Sequence, residues 1–151
     1  MAYLNGRFPA KALSRIPGGQ LAAGGSARSW LAMRYYIGRK SGIWLTPTGP
    51  SSSYRTLSKQ QEFWSNYTNG RGPLAARPGT SNHGIGQAVD VPTGAMQGQI
   101  RRYGHLFGWG IAGGKLASDA PSEPWHAKHV GPYGPRSRFW YARYRLAKKN
   151  K

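Results

Sequence analysis

The strongest periodic pattern in the chain is a helical one between Thr93 and Gly108. Apolar side chains recur there at intervals of four, three and four residues, at Met96, Ile100, Tyr103 and Phe107. This spacing places them on one face of an α-helix. Thr93 is a suitable N-cap and Gly108 a suitable end, so the segment predicts one amphipathic helix.

Two earlier segments also have a helical face. The first follows Ser26 as a possible cap, ends near Gly38, and carries Trp30, Met33 and Ile37. The second begins with a capping-box pattern, Ser58 followed by Gln61. It ends at Asn69-Gly70 and carries Phe63, Trp64 and Tyr67.

Short strands are predicted around these helices. Residues 87–91 alternate between two faces, and residues 125–130 (WHAKHV) have strand character. Residues 42–56 predict a short strand followed by a loop. Residues 1–25, rich in Gly, Pro and Ala, show no period and are interpreted as an irregular arm. Helices with separated short strands favour an α+β fold over a parallel βαβ series.

The size and composition of the chain limit the chemistry it can perform. Its 151 residues are expected to form one domain, and the absence of cysteine excludes disulfides and thiolate metal ligands. We predict no membrane span, since no stretch of about 18 apolar residues exists. The N-terminus lacks the apolar stretch of a secretory signal, so we expect the protein to be made and retained in a cytoplasm.

The charge predicts a polyanionic partner. The chain has 22 basic and 4 acidic residues, a net charge of +18. Nucleic acid, an anionic cell wall and an acidic membrane surface all satisfy this charge. Residues 135–151 are basic and aromatic, and we interpret them as a solvated or loosely docked tail. The alternative is a polyanion-binding tail with contact area from Phe139, Trp140, Tyr141 and Tyr144.

The few acids in so basic a chain point to a site. His83 and Asp90 bracket a glycine-rich turn, and Glu123 precedes His126 by three residues. Two imidazoles and one carboxylate match the three protein ligands of a catalytic zinc ion, which leaves Glu123 free as a base. A histidine and an aspartate seven residues apart also occur in ordinary loops, so this spacing alone leaves a purely structural interpretation open. His129 faces the opposite side of its strand from His126 and is a poor ligand candidate.

Three motifs together resemble a known family. Residues 81–90 match S-x-H-x-x-G-x-A-x-D at every fixed position, and residues 123–126 match E-x-W-H. A third match is Ser53-Tyr54-Arg55-Thr56, followed by Gln60. The segment from about 45 to 130 is thus similar to the zinc D-alanyl-D-alanine carboxypeptidases and L-alanyl-D-glutamate endopeptidases, which include VanX, VanY and many bacteriophage endolysins.

The resemblance implies a role for each matching residue. It implies one zinc ion per chain, held by His83, Asp90 and His126. Glu123 corresponds to the catalytic base, and Arg55 to the arginine that contacts the substrate near the scissile carbonyl. The implied substrate-binding residues are Ser81, Gln60, Tyr54 and Trp125. The implied fold is an α+β, hedgehog/DD-peptidase-like single domain with a small antiparallel sheet and packed helices. We place it at residues 1–134, with a tail at 135–151 that has no counterpart in the family.

The predicted function is therefore that of a zinc metallopeptidase of peptidoglycan. We expect a phage endolysin that cleaves the L-Ala–D-Glu bond of the stem peptide, with anionic wall polymers as further partners. It would accumulate as a monomer in the host cytoplasm and reach the wall through a holin lesion. The alternatives are a D-Ala-D-Ala carboxypeptidase of the same family and, in a different class, a basic nucleic-acid-binding module. The latter leaves the acid-containing motifs unexplained.

Overall fold

The computed structural model describes residues 3–150, and their first regular elements form a β-hairpin. Strands β1 (Leu13–Ile16) and β2 (Gly19–Ala22) pair antiparallel around a turn in which Gly18 has a φ of +87°. Ile16 and Leu21 are buried in the core. The prediction of an irregular arm is therefore wrong for these residues, while residues 1 and 2 lie outside the described part. Two four-residue strands, each with one buried apolar side chain, are too short to give a clear period.

Helix α1 (Gly25–Ser41) is the centre of the fold. Its predicted apolar face is confirmed, because Trp30, Met33 and Ile37 are fully buried. Ser26 lies inside the first turn rather than at the cap. The helix continues past the predicted end at Gly38 and stops at Gly42, whose φ of 77° is left-handed.

The next segment is a loop and not the predicted strand. Residues 42–56 contain no strand, and their backbone instead hydrogen-bonds to residues distant in the sequence, as in Thr48 N donating to the Asp90 carbonyl at 2.9 Å. Helix α2 (Leu57–Thr68) follows, capped by the Thr56 side chain and not by Ser58. Its predicted end at Asn69-Gly70 is confirmed.

A three-stranded antiparallel sheet forms the other half of the core. It consists of β3 (Ala88–Asp90), β4 (Trp109–Ile111) and β5 (His126–His129), with β5 in the middle. Strands β3 and β5 were predicted, whereas the three-residue β4 was not. Between β3 and β4, helix α3 (Gly94–Tyr103) continues into a 3₁₀ turn that ends at Gly108. The Thr93 side chain caps α3 as predicted.

The basic C-terminal segment is a helix. Helix α4 (Pro135–Lys149) packs along α1, with Trp140, Tyr141 and Tyr144 partly buried against the core. The prediction of a solvated or loosely docked tail is therefore wrong for these residues, and Lys151 lies outside the described part. This segment docks as a helix because helical periodicity places these three aromatic side chains on one side. The division into a domain of residues 1–134 and a tail stays a prediction.

The predicted fold class is confirmed. The described residues form an α+β unit of four α-helices and two small antiparallel sheets. None of the helices in residues 3–150 has both the length and the apolar character to cross a membrane.

Candidate metal centre and peptidase site

Pairing between two strands brings the first two metal-ligand candidates together. Asp90 is the last residue of β3 and His126 the first of β5, and the register places them directly opposite each other. Side chains opposite each other in an antiparallel pair lie on the same face of the sheet. His126 Nδ1 accordingly lies 2.9 Å from Asp90 Oδ1.

A tight turn supplies the third candidate. His83 lies in a 3₁₀ turn (Asn82–Ile85), where the Ser81 hydroxyl accepts a hydrogen bond from the His83 backbone N–H. Gly86 ends the turn with a φ of 68°, a conformation that favours glycine. His83 Nε2 lies 3.2 Å from Asp90 Oδ1, so one carboxylate oxygen faces both imidazoles.

The N-terminal segment holds this turn in place. Ala22 N donates to the Gly86 carbonyl at 2.9 Å, and Gly6 N donates to the Gly84 carbonyl at 2.7 Å. The Asn5 side chain donates to the Ser81 carbonyl at 2.7 Å. The turn that carries a ligand is thus hydrogen-bonded to chain more than 60 residues away.

The donor set fits a zinc ion. One ligand atom each of His83, Asp90 and His126 lies within 4.8 Å of the others. The Nδ1–H of His83 donates to the Ser53 carbonyl at 2.8 Å, so Nε2 is the ring nitrogen that faces the cluster. A backbone carbonyl that orients a ligand histidine in this way is a common partner of metal sites. Two nitrogens and one carboxylate oxygen form one of the ligand sets found in catalytic zinc sites.

The charges of the cluster are strongly coupled. Burial alone would raise the pKa of Asp90, but hydrogen bonds from His126 and His83 outweigh burial and hold this pKa well below its usual value. Burial alone would lower the pKa of His126, but the hydrogen bond to Asp90 and the charge of that carboxylate raise it above 6.5. The carboxylate is thus ionised at neutral pH, as a metal ligand must be.

Arg55 is held rigidly beside the cluster. Its Nε donates to the Ser51 carbonyl at 2.9 Å and its Nη1 to Gln60 Oε1 at 2.8 Å. Its guanidinium lies over the Phe63 ring, 4.6 Å from the centroid, and Nη2 is 3.9 Å from Asp90 Oδ2. Burial lowers the pKa of Arg55, and Asp90 and Glu123 oppose that shift. A cation fixed in this way can donate to an oxygen that gains charge.

Glu123 approaches the cluster beside His126. It lies in the turn before β5, where its backbone N–H donates to the Ala120 carbonyl at 2.9 Å. Its Oε1 is 4.0 Å from His126 Nδ1, and its side chain is 27% exposed. The carboxylate can therefore reach both the cluster and solvent.

These side chains line one cleft of about 690 Å³. Its lining also includes Phe63, the loop of residues 71–76 and most of residues 119–126. Of the predicted substrate-binding residues, Ser81 and Trp125 line the cleft, and Trp125 is 42% exposed at its edge. Gln60 lies behind Arg55, 3% exposed. Tyr54 is also buried outside the cleft, and its hydroxyl accepts from the Phe8 backbone N–H. The substrate roles of all four stay predictions.

Comparison with protein families identifies the family of this chain. A family model described as VanY, D-alanyl-D-alanine carboxypeptidase, matches residues 38–132. This chain belongs to the VanY family. The matched range contains the three candidate zinc ligands, Arg55 and Glu123. Comparison with curated proteins finds no significant match.

Solved structures share the fold of this VanY-family chain at low sequence identity. A VanY D,D-pentapeptidase from a VanB-type resistance cassette, in complex with Zn(II), is 21% identical with a TM-score of 0.56, over 94% of this chain and 97% of that one. VanYB in complex with D-alanine-D-alanine is 20% identical with a TM-score of 0.56, over 95% and 92%. The LD-carboxypeptidase LdcB is 17% identical with a TM-score of 0.60, over 91% and 76%.

Sequence reasoning missed part of this VanY-family site. Asp119 belongs to none of the three motifs, yet its Oδ1 lies 3.1 Å from His126 Nε2, and its Oδ2 accepts a hydrogen bond from Asn82. Phe63 was interpreted as part of a helix face, yet it stacks under Arg55. Only the scarcity of acids in the chain could have pointed to Asp119, since no motif includes it.

Proposed function

We propose that this chain is a zinc-dependent endopeptidase of peptidoglycan, of the phage endolysin type, that cleaves the L-Ala–D-Glu bond of the stem peptide. The main supporting observation is the convergence of a His-Asp-His cluster, a glutamate and a largely buried arginine in the lining of one cleft. A nucleic-acid-binding module would have no use for this arrangement.

The residues divide the chemistry between them. His83, Asp90 and His126 would hold the zinc ion, which when bound supplies a Lewis acid that acidifies water and polarises a carbonyl. Glu123 accepts a proton from the attacking water and delivers it to the leaving nitrogen, as general base and then general acid. Arg55 donates a hydrogen bond to the carbonyl oxygen as negative charge develops there.

Charge and size support a stem-peptide substrate. Arg55 and Arg71 both line the cleft, and peptidoglycan stem peptides carry carboxylates that such cations attract. Two alanine residues would fill only part of a cleft of about 690 Å³, so there is room for residues on both sides of the scissile bond. The net charge of +18 would concentrate the protein on anionic wall polymers, an attraction that salt weakens.

A second candidate function is D-Ala-D-Ala carboxypeptidase activity. One specific observation favours it, namely that the matching family model is described by that activity. The two functions share every residue of the mechanism and differ only in which bond the cleft places over Glu123.

Mass spectrometry of the products of a muropeptide with a complete pentapeptide stem tests the proposal. Endopeptidase activity releases a peptide that begins with D-Glu, whereas carboxypeptidase activity releases only D-alanine. Glu123→Gln is the matched control, because it keeps the zinc ligands and removes the base. Release of D-alanine alone would replace the first candidate by the second. No cleavage by a zinc-loaded protein that shifts duplex DNA would reject both.

A further inference from the structure

A second groove lies between α1 and α4, away from the catalytic cleft. It has a volume of about 600 Å³ and shares no lining residue with that cleft. Aromatic and basic side chains dominate its walls: Tyr35, Tyr36, Arg39, Lys40, Trp140 and Arg143. The function proposed above gives this groove no role.

The cations of this groove lack acidic neighbours. Glu62, on α2, is paired with Lys59, and the other three acids of the chain line the catalytic cleft. Aromatic rings support the groove cations instead. Lys40 Nζ lies 5.8 Å from the centroid of the Tyr36 ring, and the Arg143 guanidinium lies 5.0 Å from that of Phe139. These charges are thus available to an anionic partner.

Two large apolar side chains are exposed beside these cations. Phe139 is 53% exposed and Leu146 is 60% exposed. They are seven residues apart on α4, with Arg143 between them, so all three lie on one stripe of the helix. Helices that lie in a membrane interface combine a basic face with exposed Phe and Leu in this way.

We propose that the α1–α4 face docks on an anionic phospholipid surface. Phe139 and Leu146 enter the boundary of the acyl chains, while Arg39, Lys40 and Arg143 contact lipid phosphates. A nucleic acid would satisfy the cations but would leave the apolar pair in contact with water, so lipid fits the whole face better. Docking would hold the hydrolase beside the wall that it cleaves.

Co-sedimentation with vesicles tests this proposal. The protein should bind vesicles of phosphatidylglycerol and phosphatidylcholine at physiological salt, and bind pure phosphatidylcholine weakly. Phe139→Ser/Leu146→Ser should weaken binding at least about tenfold, because burial of one such side chain is worth that much. The matched control is Leu4→Ser/Val130→Ser, which removes two exposed apolar side chains elsewhere and should leave binding unchanged.

Three results would overturn the proposal. These are equal loss in the control variant, equal binding to neutral vesicles, and unchanged vesicle binding by Phe139→Ser/Leu146→Ser. If that variant also leaves binding to duplex DNA intact while Arg39→Gln/Arg143→Gln abolishes it, the face is a nucleic-acid surface instead. Circular dichroism of each variant verifies that α4 is retained.

A second, independent observation concerns Asp119. Its Oδ1 lies 3.1 Å from His126 Nε2, although the two groups do not meet the geometry of a hydrogen bond. This buried Nε2 has no hydrogen-bond partner among the described residues. The other carboxylate oxygen accepts from Asn82, the residue next to His83. Asp119 therefore connects the surroundings of two candidate ligands.

The position of the His126 proton gives this contact a role. The Nδ1 atom of His126 faces Asp90 and Glu123, so it is Nδ1 that must be free of its proton to bind a metal. The ring proton of the neutral imidazole then belongs on Nε2, where Asp119 is the nearby acceptor. We infer that Asp119 is a positioning residue that fixes the tautomer and orientation of His126, an inference that rests on the proposed zinc site.

Zinc affinity, measured by competition with a chromophoric chelator, tests this role. Asp119→Ala should weaken zinc binding by about 10–100-fold, the usual effect of losing such a partner, and Asp119→Asn should recover part of the loss because its amide oxygen still accepts. Glu62→Ala is the matched control, since it removes the same charge from an exposed side chain outside the cleft lining. In ¹⁵N-edited spectra, the Nε2–H signal of His126 should disappear in Asp119→Ala and remain in Asp119→Asn and Glu62→Ala.

The outcomes separate this inference from the proposed function. If the unaltered protein binds no zinc, the proposed function fails. If it binds zinc and Asp119→Ala binds equally well with the Nε2–H signal intact, only the role of Asp119 fails. Equal weakening in Glu62→Ala would reduce the effect to general electrostatics and reject the positioning role.

Discussion

His129 should make the stability of this protein fall in mild acid. It lies at the end of β5 beside Trp109, with ring centroids 5.3 Å apart, and its Nδ1 is 3.0 Å from the Ser26 hydroxyl. Its Nε2 is buried without a partner among the described residues. Burial therefore lowers the pKa of His129 from 6.5 to about 4.

The sign and size of the effect follow from linkage. Because the folded pKa is the lower one, the unfolded chain takes up the proton first as the pH falls. The stabilisation is complete above pH 6.5 and is lost progressively as the pH falls to about 4. The full shift corresponds to ~3 kcal/mol, and partial solvent contact of the ring reduces our expectation to ~2 kcal/mol.

Urea unfolding of the protein and of His129→Gln between pH 4 and 7 measures this term. Glutamine keeps a polar side chain but cannot titrate, so the free energy of unfolding should depend less on pH in the variant. The contributions of Asp90 and His126 are common to both proteins and cancel in the difference. Equal pH dependence in the two proteins would refute the assignment.

Three further predictions concern the site. Arg55→Ala should retain zinc while kcat falls about 10²–10³-fold, as for loss of one oxyanion donor, and a smaller loss in single-turnover assays would argue against that role. Gly86→Ala should cost more stability than Gly79→Ala. At both positions the positive φ would strain an alanine by about 1–2 kcal/mol. Only at Gly86 would the added Cβ also meet the backbone of Ala22, so equal melting temperatures of the two variants would contradict this prediction. As the pH is lowered, zinc affinity should begin to weaken before pH 6.5 is reached. The reason is that the pKa of His126 is raised, so that protons compete with the metal for this side chain. Calorimetric titration with zinc across this pH range tests the prediction.

The sequence predicted the parts of the fold that repeat a pattern over several turns. The apolar faces of α1 and α3 each extend over three or more residues at helical spacing. That of α1 is buried, and that of α3 packs on the core through buried Ile100 and half-buried Met96 and Tyr103. The β1–β2 hairpin has only Ile16 and Leu21 in the core, which is too few to establish a period. Helix α4 was missed because its many basic residues hid the spacing of its aromatic face.

The candidate site was predictable where side chains belong to compact motifs. His83 and Asp90 lie seven residues apart, and His126 pairs with Asp90 across two neighbouring strands that the pattern also indicated. Asp119 was not predictable, since its contact with His126 depends on the path of an irregular loop. The packing of Phe63 under Arg55 likewise requires the relative placement of α2 and its preceding loop.

The hydrogen bonds between the first 22 residues and the ligand-bearing turn bear on how this family can be recombined. The family model begins at residue 38, yet Asn5, Gly6 and Ala22 support the backbone around His83. A chimera that exchanges only the matched region would combine the His83-bearing turn of one protein with the supporting N-terminal segment of another. Chimeras in which the N-terminal hairpin is exchanged together with the His83-bearing turn should keep their metal affinity better than chimeras joined at residue 38.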